Sequence, residues 1–214
     1  MVVRRWLVAA MLVCSASPLA ASPNGKSPEP MREVSARIYD YAQFDRHQLQ
    51  RAQNQVSETY LAAGVRVVWH SVIRFDRIEA GKEQWPTDGV TTVTVVVLGE
   101  NMGEQRGVPA EVAGYAPITR EAGGRVAYVI GDRVRRIADD GRTDTWAVMA
   151  GVMTHEIAHL LMPDREHAAD GPMRAHWNPV EFRRVPTQRF SQAEATSLRR
   201  TVSSLGGGAV RVAD

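Results

Sequence analysis

Residues 155–159 of this chain form an HExxH motif. In an α-helix, side chains four residues apart lie on the same face, one turn apart. Two imidazoles in that arrangement can bind one Zn²⁺ at about 2.0–2.1 Å each, and the glutamate beside them can accept a proton from a water molecule on the metal. The motif therefore predicts a helix that carries His155 and His159 as zinc ligands and Glu156 as a general base.

The residues that precede the motif predict a long, buried helix over 144–161, with Thr143 or Asp144 as its N-cap. One face of this helix is expected to pack on the core. The other face carries the two histidines and, nearer the N-terminus, Val148 and Val152. A helix that is apolar on both sides is buried, and buried imidazoles need partners, which a metal ion supplies. The residues expected to face the core recur at helical spacing: Trp146, Ala150, Met153, Ile157 and Leu160 or Leu161.

The residues that follow the motif predict a third ligand. Pro163 disfavours helical conformation at Met162, so we expect the helix to end there. His167 follows eight residues after His159, which is enough chain to bring a third imidazole back to the first two. A tight turn with a methionine comes next, at 170–174. Three protein ligands with a fourth position for water are the coordination of a catalytic zinc.

Three other side chains compete with His167 for the third position. Asp170 and His176 are near it in sequence, and Glu181 lies on a predicted helix from which it would complete a thermolysin-like site. We favour His167 because Pro163 ends the helix where the chain must turn back.

The order of these features resembles that of the metzincin metallopeptidases, which have HExxH, a third histidine beyond the helix and a methionine-containing turn. The chain departs from their usual HExxHxxGxxH, because Met162 stands at the glycine position, Arg165 stands at the histidine position and His167 comes two residues later. The run HEIAHLLMPDREHAADGPMRAHW, which ends at Trp177, looks closer to a group of exported, largely uncharacterised bacterial metzincin-like proteins.

The resemblance extends over most of the chain, since residues 37–42 and 62–69 look like the first two strands of that group. It implies an α/β (α+β) zincin fold with a mixed, mainly parallel sheet. A backing helix and an active-site helix would pack on this sheet, and a small helical part would follow at the C-terminus.

The resemblance also implies zinc-dependent hydrolysis of a peptide or protein substrate. Met173 would pack beneath the site without binding the metal. An antiparallel edge strand pairs with extended substrates in this family, and residues 112–117 are the candidate segment, with a simple connecting loop as the alternative. Tyr115 and Arg174 are the candidates for stabilising the oxyanion.

Hydrophobic periodicity predicts the sheet and the helix that backs it. Strands are predicted over 34–41, 65–69, 90–98 and 126–130, with a polar loop over 79–89. The β-branched run at 90–98 indicates a buried central strand. A helix over 44–63 is expected to end at Gly64, and its core face consists of Leu49, Ala52, Val56 and Tyr60.

The connections on either side of the motif are charged or short. Residues 133–140 are interpreted as a crossing to the active-site helix whose charges form a solvated face. Residues 178–182 are expected to open a short helix with proline in its first turn. A capping-box pattern at 191–194 precedes a C-terminal helix that ends near Gly206.

The N-terminus has the pattern of a secretory signal peptide. Arg4 and Arg5 precede an apolar run over 6–13 that is too short to span a membrane, and small residues lead to a cleavage site after Ala21. An N-terminal core helix is the alternative. The chain is therefore divided into a signal peptide at 1–21, a disordered leader at 22–33, a single metalloprotease-like domain at 34–206 and a loose tail at 207–214.

Removal of the signal peptide changes the charge and the cysteine content. Lys plus Arg falls from 26 to 24, which equals the 24 Asp plus Glu, so a net charge near zero gives no case for nucleic acid binding. The one cysteine, Cys14, is removed as well. We expect an exported, periplasmic or extracellular protein without a stable membrane anchor. The alternatives are an exported zinc-binding protein without catalysis and a cytosolic regulator with a chance motif.

Overall fold

A computed structural model describes residues 31–74, 91–117 and 126–206. The predicted signal peptide, most of the predicted leader, the polar loop at 79–89 and the tail at 207–214 lie outside the described residues.

Five strands form one sheet in the order β2-β1-β3-β5-β4. Their bounds are β1 Arg32–Asp40, β2 Val65–Arg74, β3 Thr91–Leu98, β4 Gly114–Tyr115 and β5 Val126–Ile130. The pairs β1–β2, β1–β3 and β3–β5 are parallel, and β4 is antiparallel to β5. A mixed, mainly parallel sheet with helices confirms the predicted fold class.

Alternation along β3 shows which of its side chains face the core. In β3, Val93, Val95 and Val97 are at most 1% exposed, and each fully buried valine contributes roughly 1.5–3 kcal/mol. The residues between them in β3 are only partly buried. β1 begins at Arg32, so the last two residues of the predicted leader belong to this strand.

Five α-helices and one 3-10 segment accompany the sheet in the described residues. The helices are α1 Arg46–Ala62, α2 Glu100–Gln105, α3 Gly131–Gly141, α4 Thr145–Leu161 and α5 Gln192–Gly206, and the 3-10 segment is Pro179–Thr187. α1 packs against α4, and the hydroxyl of Tyr60 donates to the carbonyl of Thr154 at 2.9 Å. Within the described ranges, every helix is too short or too polar to cross a bilayer.

The predicted backing helix is α1. Asp45 is its N-cap and accepts a hydrogen bond from the amide of Gln48 at 2.9 Å, so the helix begins two residues later than predicted. Gly64 follows the helix end with φ 83°, a conformation that favours glycine. The predicted core face is confirmed, with residues at most 2% exposed: Leu49, Ala52, Val56 and Tyr60.

Two helices, α2 and α3, were not predicted. The interpretation of 133–140 as a solvated crossing is wrong for Arg133, which is only 2% exposed, although Asp139 and Asp140 are exposed as expected. The guanidinium of Arg133 is buried because carbonyl groups from an earlier loop surround it. That loop lies more than 20 residues away, so local sequence patterns did not indicate it.

The C-terminal part follows the prediction more closely. Asn178 and Glu181 form a capping box at the start of the 3-10 segment. Ser191 and Glu194 form the predicted box at the start of α5, where the amide of Ser191 donates to Glu194 Oε2 at 2.7 Å. α5 ends at Gly206, as predicted.

Candidate metal centre

The predicted active-site helix is α4, and it is buried on both sides as predicted. From Ala147 to Met162, only His155 and His159 are partly exposed. Asp144 occupies the N-cap position, although its side chain makes no capping hydrogen bond. The helix ends at Leu161 with Met162 as its C-cap, which confirms the effect predicted for the following proline.

Three imidazoles converge at the C-terminal end of this helix. His159 Nε2 lies 3.0 Å from His155 Nε2 and 3.2 Å from His167 Nε2. One ligand atom from each of the three residues lies within 4.8 Å of the others. Two nitrogens at about 2.0–2.1 Å from one tetrahedral ion are roughly 3.3–3.4 Å apart, so this spacing is close to that of ligands on a shared metal.

The orientation of His155 is fixed by the methionine-containing turn. Its Nδ1 lies 2.8 Å from the carbonyl oxygen of Pro172, which can only accept, so Nδ1 carries the proton and Nε2 presents a lone pair to the other two rings. A backbone bond from the amide of Ala168 to the carbonyl of Met173, 2.8 Å long, closes this turn. Met173 is fully buried, as a packing role requires.

Burial favours the neutral form of the two helical histidines. The pKa of His159 is lowered to about 4, mainly by burial and further by His155 and His167. Burial also lowers the pKa of His155, although its hydrogen bond to Pro172 opposes the change. Metals bind neutral imidazole, so these two ligands are ready to bind at neutral pH without releasing a proton.

Glu156 lies next to the imidazoles and beneath strand β4. It is 7% exposed, and burial raises its pKa to about 8. A Cβ placed on Gly114 of β4 would lie 2.5 Å from Val152 Cγ1, 2.9 Å from Glu156 Cγ and 3.1 Å from Glu156 Oε1. Only glycine therefore lets the strand pass this close to the helix.

The segment predicted as an edge strand is one, although it is short. β4 lies at the end of the sheet, and the carbonyl of Ala113 accepts from the amide of Ile130 at 2.8 Å. Because Ala113 is directed toward β5, the N–H and C=O of Gly114 point to the outer side of the strand. The ring of Tyr115 stacks on that of Tyr128, with the ring centroids 4.8 Å apart. Successive strand residues point to opposite faces, so Tyr115 lies on the face opposite to the one on which Gly114 meets α4.

The competing third ligands lie elsewhere. Glu181 Oε1 is 2.5 Å from Arg174 Nη1, and Glu181 Oε2 accepts from the amide of Asn178 at 2.8 Å. These contacts lower the pKa of Glu181, the Asn178 bond being the larger cause, and they also occupy Arg174. Asp170 and His176 are exposed. Across 31–74, 91–117 and 126–206, the three histidines are the one group of three or more such residues that can hold a metal ion.

Sequence reasoning missed two residues around the site. Gly114 interrupts a short apolar run, and an isolated glycine in a strand often marks a close backbone approach, so that signal was available. Arg133 lies in a charged run in which nothing distinguishes it from its neighbours.

No family model and no curated protein matches this chain. Among solved structures, archaemetzincin from Methanopyrus kandleri is similar at 14% identity and a TM-score of 0.49, over 83% of this chain and 99% of that one. The solution structure of TM1509 from Thermotoga maritima is similar at 13% identity and a TM-score of 0.36, over 84% and 99% respectively. Both likenesses are too distant to carry a conclusion, so the assignment of the site rests on its geometry.

Proposed function

We propose that this protein is a zinc-dependent peptidase. The observation that carries the proposal is the convergence of three imidazole nitrogens, within 4.8 Å of one another, beside the buried carboxylate of Glu156. The edge strand that passes over the same carboxylate gives the site a surface for an extended peptide.

The donor set favours zinc. His155, His159 and His167 offer three nitrogens, whereas calcium and magnesium prefer oxygen ligands. The bond from His155 to the carbonyl of Pro172 is the kind of contact that orients metal-ligating imidazoles. His167 is exposed, so solvent and substrate can reach the metal position. Three protein ligands with an accessible fourth position are typical of catalytic rather than structural zinc.

Zinc bound by these histidines would polarise the scissile carbonyl and lower the pKa of water. The carboxylate of Glu156 takes the proton of the attacking water and passes it to the leaving amine. Burial beneath β4 keeps Glu156 away from bulk solvent, and its high pKa in the absence of a metal suits a group that must both accept and release a proton.

The edge of β4 provides the binding surface for the peptide main chain. Gly114 directs its N–H and C=O outward, so an extended substrate can add to the sheet as one more strand. A peptide paired with Gly114 would lie over Glu156, since the two residues are in contact. The short length of β4 limits this pairing to a few residues of substrate.

A panel of unstructured peptides, incubated with and without a chelator, tests the proposal. We expect cleavage that stops on chelation and returns when about one equivalent of zinc is added back. A protein that binds one zinc and cleaves no peptide would instead be a zinc-binding module without catalysis. A protein that cleaves equally well with chelator would not use zinc.

We propose also that the protein acts outside the cytoplasm, in the periplasm or beyond the cell. The support is the charged start, short apolar run and small-residue exit of residues 1–21. N-terminal sequencing of exported material is expected to begin near Ser22. A protein that retains Met1 in the cytoplasm would contradict this.

A further inference from the structure

A buried arginine outside the metal centre holds the loop that leads into β4. Arg133, on α3, is 2% exposed. Its guanidinium donates to the carbonyl of Val112 at 2.8 Å, to that of Val108 at 3.2 Å and to that of Pro109. Its Nε is 2.9 Å from Glu100 Oε1, which supplies a counter-charge. One side chain therefore binds three backbone carbonyls within five residues of chain.

The loop bound in this way has little regular structure of its own. It connects the six-residue helix α2 to the two-residue strand β4. Arginine is suited to this role because its planar fork presents five N–H groups in fixed directions, whereas lysine offers a single ammonium on a flexible stem. Loss of the fork would remove the side-chain donor that the three carbonyls share, which weakens the hold on the loop.

The three bound carbonyls lie two to six residues before Gly114, the residue that covers the proposed catalytic carboxylate. Val112 is two residues from Gly114, whose added Cβ would lie 2.9 Å from Glu156 Cγ. A shift of this loop therefore moves the outer edge of β4 relative to Glu156. The zinc ligands come from α4 and the turn after it, and would not move with the loop.

We infer that Arg133 is a positioning residue for the substrate-binding edge, an inference that rests on the proposed peptidase function. Arg133 holds β4 in the position in which an extended peptide paired with the strand lies over Glu156. It acts on substrates that pair with the edge and leaves zinc binding unchanged. A substrate too short to pair with β4 does not depend on it.

The test compares Arg133→Lys with Arg136→Lys on two substrates. Arg136 is a matched control, because it lies on the same helix and binds the same Glu100 at 3.1 Å, but its side chain is 55% exposed. The substrates are an extended unstructured peptide and a blocked dipeptide with the same scissile bond. Zinc content and melting temperature are measured for each variant.

We expect Arg133→Lys to lower kcat/KM for the extended peptide by about 10- to 100-fold, mostly through KM, because small displacements at an active site have effects of that size. The dipeptide should change by less than about threefold, with zinc content as in the wild type. Arg136→Lys should match the wild type on both substrates.

Equal losses on both substrates, or no loss on the extended peptide, would overturn the inference while the peptidase function stands. A wild-type protein that cleaves neither substrate would overturn the proposed function itself. If Arg133→Lys fails to fold, Glu100→Gln replaces it, since it weakens the ion pair and keeps the fork. A loss confined to the extended peptide is again expected, and a loss shared by both substrates would count against the role.

Discussion

The two sides of the metal centre are built in different ways. The helix side, α4 with residues 162–178, supplies the three imidazoles and Glu156 from a regular buried helix and the turn that closes on it. The rim, residues 99–115, contains a six-residue helix, a two-residue strand and, between them, a loop held by Arg133. In the proposed function, the helix side carries out the chemistry and the rim sets the position of the substrate. Substitutions on the two sides should therefore impair activity in different ways.

The largest effect is expected on the helix side. Glu156→Gln keeps the size of the side chain but cannot accept a proton, so kcat should fall by about 10²–10⁴-fold. Zinc content should stay at the wild-type level, because Glu156 is not among the grouped ligands. Near-normal turnover in a zinc-loaded variant would mean that another group is the base.

A substitution in the rim should act through geometry. In Gly114→Ala the new Cβ would lie 2.5 Å from Val152 Cγ1, so β4 must move away from α4. We expect a loss of about 1–3 kcal/mol in stability and roughly 10- to 100-fold in kcat/KM on extended peptides. Gly99→Ala is the control, because its Cβ meets only Asp132 Oδ2 at 3.6 Å. If Gly114→Ala and Gly99→Ala had the same stability and the same kcat/KM, the close approach of β4 to α4 would not matter for activity.

The burial of Glu156 predicts a pH effect in protein stripped of metal by a chelator. Its folded pKa of about 8 lies above the ordinary 4.5, so the folded state keeps a proton that the unfolded chain loses, and stability falls as pH rises through this range. The lowered pKa values of His155 and His159 act in the opposite sense below about pH 6.5. We therefore expect the melting temperature to fall between about pH 6.5 and pH 8, and Glu156→Gln to remove that fall.

The smallest effect is expected at Glu181. Its carboxylate binds Arg174 and the amide of Asn178, so Glu181→Ala should lower the melting temperature slightly through the loss of a cap. Zinc content and turnover should be unchanged. If this variant lost the metal, Glu181 would be the third ligand and the site would be thermolysin-like.

The sequence was sufficient where function requires residues close together in the chain. HExxH places two candidate ligands on one helix face, Pro163 ends that helix, and hydrophobic patterns locate β1, β3 and β5. The order of the strands in the sheet could not be predicted from the sequence, because strand pairing joins segments that are far apart in the chain. The sequence does not decide which of four candidate residues is the third ligand, because eight residues of irregular chain can place a side chain in many directions.

The rim could not be predicted for a physical reason. Its position depends on a guanidinium and three carbonyls that are 21 to 25 residues apart in sequence, and carbonyls are present in every residue. Charged residues outnumber apolar ones in the sequence of α3, which favours a solvated segment, whereas Arg133 is buried in the structure. The glycine at position 114 indicates a close backbone approach, but the sequence does not show that α4 is the element it approaches.

X-ray absorption shows which side chains bind the zinc. We predict that X-ray absorption at the zinc edge of the wild-type protein shows one zinc bound by three imidazoles and one oxygen from solvent, and that His167→Ala shows two imidazoles with weaker binding. His176→Ala should be indistinguishable from the wild type, because His176 is exposed and outside the cluster. A wild-type spectrum with two imidazoles and a carboxylate, or a His167→Ala spectrum that is unchanged, would mean that His167 is not the third ligand.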